Sequence, residues 1–432
     1  MHYYQFVTNS SKSRELSGRT LPLGLKRGLE SCFSMFLLAL FLPLWLFKCA
    51  NAHQHIKFYT ADGALRLSSP AGIVEFFELQ KQPLFSLVPV FWEIVRGRLA
   101  LIGPAPVETS EESPLYQTFG LKPGLFSTYS LKRQANLTLL DRDYELLTYV
   151  GTAGLKTDLG ILVRSLIGRL FNRAASSSPA SFQLLDVRVD NLEIDEALEW
   201  ICRSAHDHSR TDQLAFANPD CFNIAVKHDA YRDTLKNAER VFADGIGVHL
   251  ACGMLDVSMK ANLNGTDLFP RLCELAQAEN LSIYLLGARP GIVDKMVDSV
   301  AGEYPGLKIA GTRHGYFDHN EESAVIEQIN ASNADILLVA FGAPRQEIWI
   351  AENRERLNVG LALGVGGLFD FISGSMPRAP LWMREIGLEW CFRLYQEPRR
   401  MWRRYIIGNP LFLFRVWRFH SKRRQTNCNA QG

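Results

Sequence analysis

Ser282-Ile-Tyr-Leu-Leu286 runs straight into Gly287-Ala-Arg-Pro-Gly291, and a helical pattern of apolar residues follows. A short apolar run that stops at glycine is the mark of a strand covered on both faces. The same texture recurs on either side. Leu214-Ala-Phe-Ala217 ends at Asn218-Pro219, and Lys308-Ile-Ala310, Ile336-Leu-Leu-Val-Ala340 and Gly360-Leu-Ala-Leu363 continue the series. Leu184-Leu-Asp-Val-Arg-Val189 reads as one more strand, and Leu192 to Ala205 has helical spacing. Strands alternating with helices predict an α/β fold with a Rossmann-like parallel sheet.

Around that core the chain is long, at 432 residues, which suits two or three domains. Asn172-Arg-Ala-Ala-Ser-Ser-Ser-Pro-Ala-Ser181 has linker composition, small and polar with one proline. It divides a first domain, 1–171, from a sheet domain, 182–392, that carries a basic, aromatic tail over 393–432. Lys+Arg 47 against Asp+Glu 45 excludes a globally basic nucleic-acid binder. The eight cysteines are dispersed with no C-x-x-C, so a zinc ribbon and a thioredoxin-type pair are both excluded. They read as reduced core residues of a cytoplasmic protein.

Cys32 to Phe47 is the one long apolar run. Sixteen residues reach about 24 Å as a helix, short of the ~30 Å hydrocarbon core, and Pro43 interrupts them. A bent segment dipping into one leaflet is the expectation, with Lys26, Arg27 and Lys48 as interfacial anchors. A cleaved signal peptide is the rival reading, because Ala50-Asn51-Ala52 imitates a cleavage site, although the stretch before the apolar run is unusually long.

In an open α/β sheet, ligands bind beyond the C-terminal ends of the strands. Four loops qualify: Asn218-Pro-Asp220, Ala243-Asp-Gly-Ile-Gly247, Gly287-Ala-Arg-Pro-Gly291 and Gly364-Val-Gly-Gly-Leu-Phe-Asp370. Glycines such as Gly245, Gly287 and Gly366 let backbone N–H groups approach a diphosphate, or else serve tight turns. A nicotinamide site is disfavoured, since Gly364-Val-Gly366 has Phe369 where the third glycine of the fingerprint belongs.

Residues 184–404 resemble the WecG/TagA/CpsF family of bacterial glycosyltransferases. The resemblance rests on an ordered series: Asn218-Pro219, Ala243-Asp-Gly-Ile-Gly247, Asn264-Gly-Thr-Asp-Leu268, Tyr284-Leu-Leu-Gly287 with Pro290-Gly291, Tyr304-Pro-Gly306 and Gly315-Tyr-Phe317. It continues through Gly342-Ala-Pro-Arg-Gln-Glu347, Gly364-Val-Gly-Gly-Leu-Phe-Asp370, Arg378-Ala-Pro380, Gly387-Leu-Glu-Trp390, Arg393 and Glu397-Pro-Arg399. It implies metal-independent transfer of a sugar from a UDP-sugar to a polyprenyl-diphospho-sugar, with no cofactor. Inversion requires a base for the acceptor hydroxyl, and Asp244 at a strand end is the candidate; the bland alternative is a helix cap. Gln346 and Glu347 are candidates for binding donor or acceptor sugar. Asn218 contacts sugar or uracil, or caps a helix. Asp267 lines the site or caps, and Arg378 belongs to the substrate-binding set. Two positions depart from the family pattern, Phe216 where threonine is common and Asn262 where arginine is common.

The tail interleaves Arg399, Arg400, Arg403, Arg404, Arg415 and Arg418 with Trp402, Tyr405, Phe412, Phe414 and Trp417. That mixture suits a helix lying on anionic lipid, and Arg399 and Arg403 are candidates for gripping the diphosphate. Nucleic acid is set aside because a lipid diphosphate explains both the tail and the α/β site.

Residues 22–170 resemble, more distantly, the monotopic polyprenyl-phosphate sugar-phosphate transferases, through Pro89-Val-Phe-Trp92, Arg96-Gly97, Leu101-Ile-Gly-Pro-Ala-Pro106, Lys122-Pro-Gly-Leu125 and Asp158-Leu159. Where that family keeps an Asp-Glu pair this chain has Ser86-Leu87, and Ala105 replaces an arginine. The expectation is a degenerate domain serving as a membrane platform, in a glycosyltransferase of surface-glycan assembly at the cytoplasmic face of the bacterial membrane. A first half that is still active, a non-catalytic scaffold, and pairing with a second copy of the chain are left open.

Overall fold

The computed structural model describes residues 23–49, 57–61, 64–69, 72–73, 87–105, 121–134, 142–171 and 177–429. The chain divides into two compact units, 1–174 and 175–432.

The first unit opens with helix α1, Leu23–Cys49, which continues through Pro43. The helical backbone is thus not interrupted there, although the proline removes one donor from the ladder and crowds the preceding turn. At 1.5 Å per residue the helix is about 40 Å long, and Leu25–Trp45 is long and apolar enough to cross a membrane. One side packs on the unit through Leu37, Leu38 and Phe41. The other exposes Leu25, Leu29, Phe36, Leu40 and Leu44, so this is not a buried core helix. Strands β1 (Lys57–Ala61), β2 (Ala64–Ser69) and β3 (Gly72–Ile73) form an antiparallel sheet. Helix α2 (Val88–Val95), the parallel pair β4 (Ala100–Ile102) and β5 (Gly124–Phe126), and helices α3 (Thr128–Gln134), α4 (Arg142–Thr152) and α5 (Leu155–Phe171) complete the described part.

A buried polar knot holds this unit together. Tyr149 donates to Asp158 (2.9 Å), Lys26 pairs with Asp158 (2.8 Å), and Glu30 accepts from the Ile102 amide (3.2 Å). Beside it lies a cavity of about 180 Å³ lined in part by Lys26, Arg27, Glu30, Lys122 and Tyr149. Leu87 and Ala105 are buried in the core, whereas Ser86, Pro106 and Ala50-Asn51-Ala52 lie outside the described residues.

The second unit starts with β6 (Ser181–Leu184) and β7 (Val187–Asp190), an antiparallel hairpin where the sequence suggests a single strand over 184–189. Leu185 and Asp186 turn the chain with φ of 48° and 66°. Ser177 bridges to Val257, so the second half of the stretch 172–181 already carries sheet structure. There follow α6 (Ile194–His206), β8 (Asp212–Ala217), α7 (Pro219–Ala225), α8 (Asp229–Asn237), β9 (Arg240–Ala243), α9 (Ile246–Met254) and α10 (Gly265–Ala278). Then come β10 (Ser282–Gly287), α11 (Ile292–Glu303), β11 (Lys308–Arg313), α12 (Glu322–Ala331), β12 (Ile336–Ala340), α13 (Arg345–Asn353), β13 (Leu361–Gly364) and α14 (Leu368–Ile372). The sheet order is β11-β10-β12-β13-β8-β9-β7-β6, parallel except for the hairpin. Every residue of β8, β12 and β13 is buried, which is why β12, β13 and the last four residues of β8 read as apolar runs.

The last helices are α15 (Leu381–Glu385), α16 (Glu389–Gln396), α17 (Pro398–Trp402), a π-helical turn at Arg403–Gly408 and α18 (Asn409–Asn429). They pack on the unit, which corrects the picture of a tail that only lies on lipid. Phe412 and Val416 belong to the core cluster of Phe222, Val241 and Val248, and Phe412 meets Phe222 at 5.6 Å. Asn223 donates to the Gly408 carbonyl (2.8 Å) and accepts from Arg415 (2.7 Å). The outer face keeps Trp402, Ile406, Ile407, Phe414 and Trp417 exposed.

Candidate functional site

β8 and β13 are neighbours in the sheet, yet the chain leaves β8 toward β9 on one side while β12 and β10 lie on the other. The crevice beyond their C-terminal ends is where such a sheet admits a ligand. Asp244 follows β9, and its amide donates to the carbonyl of Ala217 at the end of β8 (3.0 Å). Asn218 closes the corner. Its Oδ1 accepts from the Asp220 and Cys221 amides at the start of α7, and its Nδ2 reaches Asp244 Oδ2 at 3.5 Å. The residue is therefore both a helix cap and a neighbour of the candidate base. Gly245 holds φ at 86°, a conformation open to glycine, and its amide donates to Asn262 (3.1 Å).

The electrostatics of Asp244 come from the last helices. Desolvation raises its carboxyl above the ordinary value; the charge of Arg404 opposes this, Glu389 adds to it, and Asn218 and Arg393 oppose it. Arg404 lies 3.4 Å from Asp220. Arg393 stacks over Phe371 at 4.9 Å and forms no ion pair with a carboxylate among the described residues. Tyr405 stands against Trp390 at 6.0 Å and senses Asp244. A carboxylate with elevated proton affinity, in the field of two guanidinium groups, can take a proton while an anionic leaving group is stabilised.

Arg393 and Arg404 are the arginines brought to Asp244. Arg399 and Arg403 are exposed, and Arg403 lies over the Trp402 ring. Sequence composition does not separate the four, because all belong to one basic run; only the packing of α16 and the π-helical turn selects two of them.

Gln346 and Glu347 are buried rather than open to a sugar. Gln346 Oε1 accepts from the amides of Gly342 (2.9 Å) and Gly366 (3.0 Å), stitching the loop after β12 to the loop after β13. Its Nε2 donates to Glu347 (2.7 Å). The Gly366 amide is thus already used. Replacing Gln346 with Ala strands both amides and opens a void, so a stability loss of about 2–4 kcal/mol is expected, measured by denaturant unfolding.

Burial pushes the Glu347 carboxyl up to about 7, its bond from Gln346 acting the other way. Between the ordinary glutamate value of 4.5 and about 7 the folded state holds a proton that the unfolded state lacks. This contribution to stability is full at low pH and is lost as pH rises through the folded value. A Glu347→Gln variant keeps the neutral shape, so its stability relative to the parent is expected to climb across that window by up to about 1.4 kcal/mol per pH unit. Urea titrations at several pH values measure it; parallel curves would contradict the assignment.

Asp267 and Arg378 form a separate knot. Arg378 pairs with Asp267 (2.7 Å) and Glu389 (3.1 Å), Arg384 approaches Asp267 (3.6 Å), and Asn264 donates to Asp267 (2.7 Å). These groups tie the start of α10 to the last helices and are committed to one another. Gly287 is required by close approach: a Cβ there would lie 2.7 Å from the backbone of Ala340. Phe216 is buried beside Phe242, at 6.1 Å, and against Gly265.

The chain is similar to known proteins over its second unit. A family model described as glycosyl transferase WecG/TagA/CpsF matches residues 182–426. An N-acetylglucosaminyldiphosphoundecaprenol N-acetyl-beta-D-mannosaminyltransferase of Bacillus subtilis (strain 168) is 34% identical over 193 residues, 45% of this chain and 74% of that protein. The enzyme of the same name from Bacillus spizizenii is 32% identical over 200 residues, 46% and 77% of the two chains. That of Staphylococcus aureus (strain MW2) is 28% identical over 242 residues, 56% and 93%.

Proposed function

The chain belongs to the WecG/TagA/CpsF family of glycosyl transferases, and from that premise we propose that it moves a sugar from a UDP-sugar to a polyprenyl-diphospho-sugar, with inversion, in surface-glycan assembly. The carrying observation is Asp244, desolvated at a strand end beside Asn218 and within the field of Arg404 and Arg393. In this reading the Asp244 carboxylate takes the proton of the acceptor hydroxyl as its oxygen attacks the anomeric carbon. The bond from that carbon to UDP breaks, and Arg393 and Arg404 balance the charge gathering on diphosphate oxygens. The names of the relatives support the acceptor class, since each describes transfer to a diphosphoundecaprenol-linked sugar.

The first unit acts in this proposal as a membrane platform at the cytoplasmic face, supported by the exposed apolar side of α1 and by the exposed Trp92 with Arg96 stacked on it at 4.9 Å. Ser86-Leu87 in place of an acidic pair supports the loss of sugar-phosphate transfer. The test uses detergent-solubilised full-length protein, a panel of UDP-sugars and two acceptors, polyprenyl phosphate and a polyprenyl-diphospho-sugar, with products weighed by mass spectrometry. One added sugar on the second acceptor alone is the expected product. A sugar phosphate on polyprenyl phosphate would mean that the first unit is active, and UDP-sugar binding without turnover on either acceptor would favour a scaffold.

A further inference from the structure

Cys202 and His206 stand one turn apart on the last turns of α6, and Glu279 directly follows the end of α10. A thiol sulfur, an imidazole nitrogen and a carboxylate oxygen from these three residues all lie within 4.8 Å of one another. Among the described residues this is the one such group of His, Cys, Asp and Glu side chains. From this convergence of donors we propose a zinc(II) site formed by Cys202, His206 and Glu279, with solvent as the fourth ligand.

Three features favour it. The donor set matches a borderline-soft, tetrahedral divalent ion rather than magnesium or calcium, which demand oxygen ligands. The backbones that carry the donors are fixed, because Ile201 and Ala205 of α6 share a core cluster with Leu272, Cys273 and Ala276 of α10. Both helices also end here, and the C-terminal ends of their dipoles add negative potential to that of Glu279. Donors around tetrahedral zinc sit about 3.5 Å apart, while His206 Nε2 and Glu279 Oε2 are now 4.0 Å apart. Both side chains are about half exposed, so rotamer adjustment closes that gap without moving the helices. Binding exchanges water on the ion for the three ligands, and the Cys202 thiol releases its proton to solvent.

The site lies at the opposite end of the strands from Asp244. α6 passes the chain to the start of β8, whereas the Asp244 amide binds the carbonyl that ends β8. The ion would staple α6 to α10 and would stabilise the fold rather than take part in transfer.

The test titrates metal-free, reduced full-length protein with cobalt(II) and then zinc(II). A thiolate-to-cobalt charge-transfer band saturating at one equivalent and displaced by zinc is the expected result. The band should vanish in Cys202→Ser, and zinc affinity should fall at least about tenfold in His206→Ala and Glu279→Gln. Zinc should raise the melting temperature of the parent but not of Cys202→Ser, with circular dichroism of each variant unchanged. No band in the parent, or a band that survives in Cys202→Ser, would overturn the site.

Discussion

Asp244→Asn is expected to lower kcat/KM for sugar transfer by about 10²–10⁴-fold while leaving the melting temperature close to that of the parent. The substitution keeps the shape and the contact with Asn218 Nδ2 through the amide oxygen, but it removes the proton acceptor. The loss should fall on kcat more than on KM, because the base acts in the transition state and not in substrate binding. The pH profile carries a second signature. Desolvation holds the Asp244 carboxyl above the usual aspartate range, so the acid limb of kcat/KM in the parent should turn at a correspondingly raised pH. Below that turn, rate should fall tenfold per pH unit as the base becomes protonated. Near-normal turnover by Asp244→Asn in a mass-spectrometric product assay would remove this residue from the catalytic role.

Phe412→Ala is the second large effect, and it acts on the fold. The ring is completely buried, packs on Phe222, and joins α18 to the core beneath β8 and β9. Its removal should cost about 3–5 kcal/mol, as aromatic truncations in cores do, read as a lowered denaturant midpoint for the second unit. Activity should fall with it, since Arg393 and Arg404 are carried by the segment that α18 anchors. Serine at Phe414 and Trp417, both more than half exposed on the same helix (53% and 56%), is the counterpart. That double variant should shift stability by no more than about 0.5 kcal/mol per site. If the outer face of α18 seats on lipid, its binding to anionic vesicles should weaken markedly; unchanged sedimentation with vesicles would take lipid contact away from this face. Truncation from Arg399 is a poorer experiment, because it removes core residues together with surface ones.

The two variants separate what each part of the last helices does. Residues on one side of α18 complete the core, those on the other meet the surroundings, and the preceding turn delivers charge to the crevice. In the sequence these roles are interleaved within a single basic, aromatic run.

The alternation of strands and helices over the second unit was legible in the residues, because strands buried on both faces admit little but apolar side chains. β9 was the exception: Arg240-Val-Phe-Ala243 is too short and begins with too polar a residue to stand out, and its place in the sheet depends on partners β8 and β7. The hairpin of β6 and β7 hid for a related reason, since its turn is made by Leu185 and Asp186 rather than by glycine. The continuity of α1 through Pro43 was hidden as well, because local sequence shows a missing donor but not the helical backbone that runs past it to Cys49.

Family membership, the place of Asp244 in its Ala243-Asp-Gly-Ile-Gly247 motif and the helix-capping position of Asn218 were set by the sequence itself: local motifs and periodicity need only neighbours in the chain. Which arginines act on the charge of Asp244, and that Gln346 and Glu347 serve as a buried stitch between loops, were decided by tertiary structure alone. The physical reason is that proton affinity, charge pairing and burial depend on groups distant along the chain. Arg404 is 160 positions from Asp244 and reaches it only because Phe412, Val416 and Asn223 fix the last helices against the sheet.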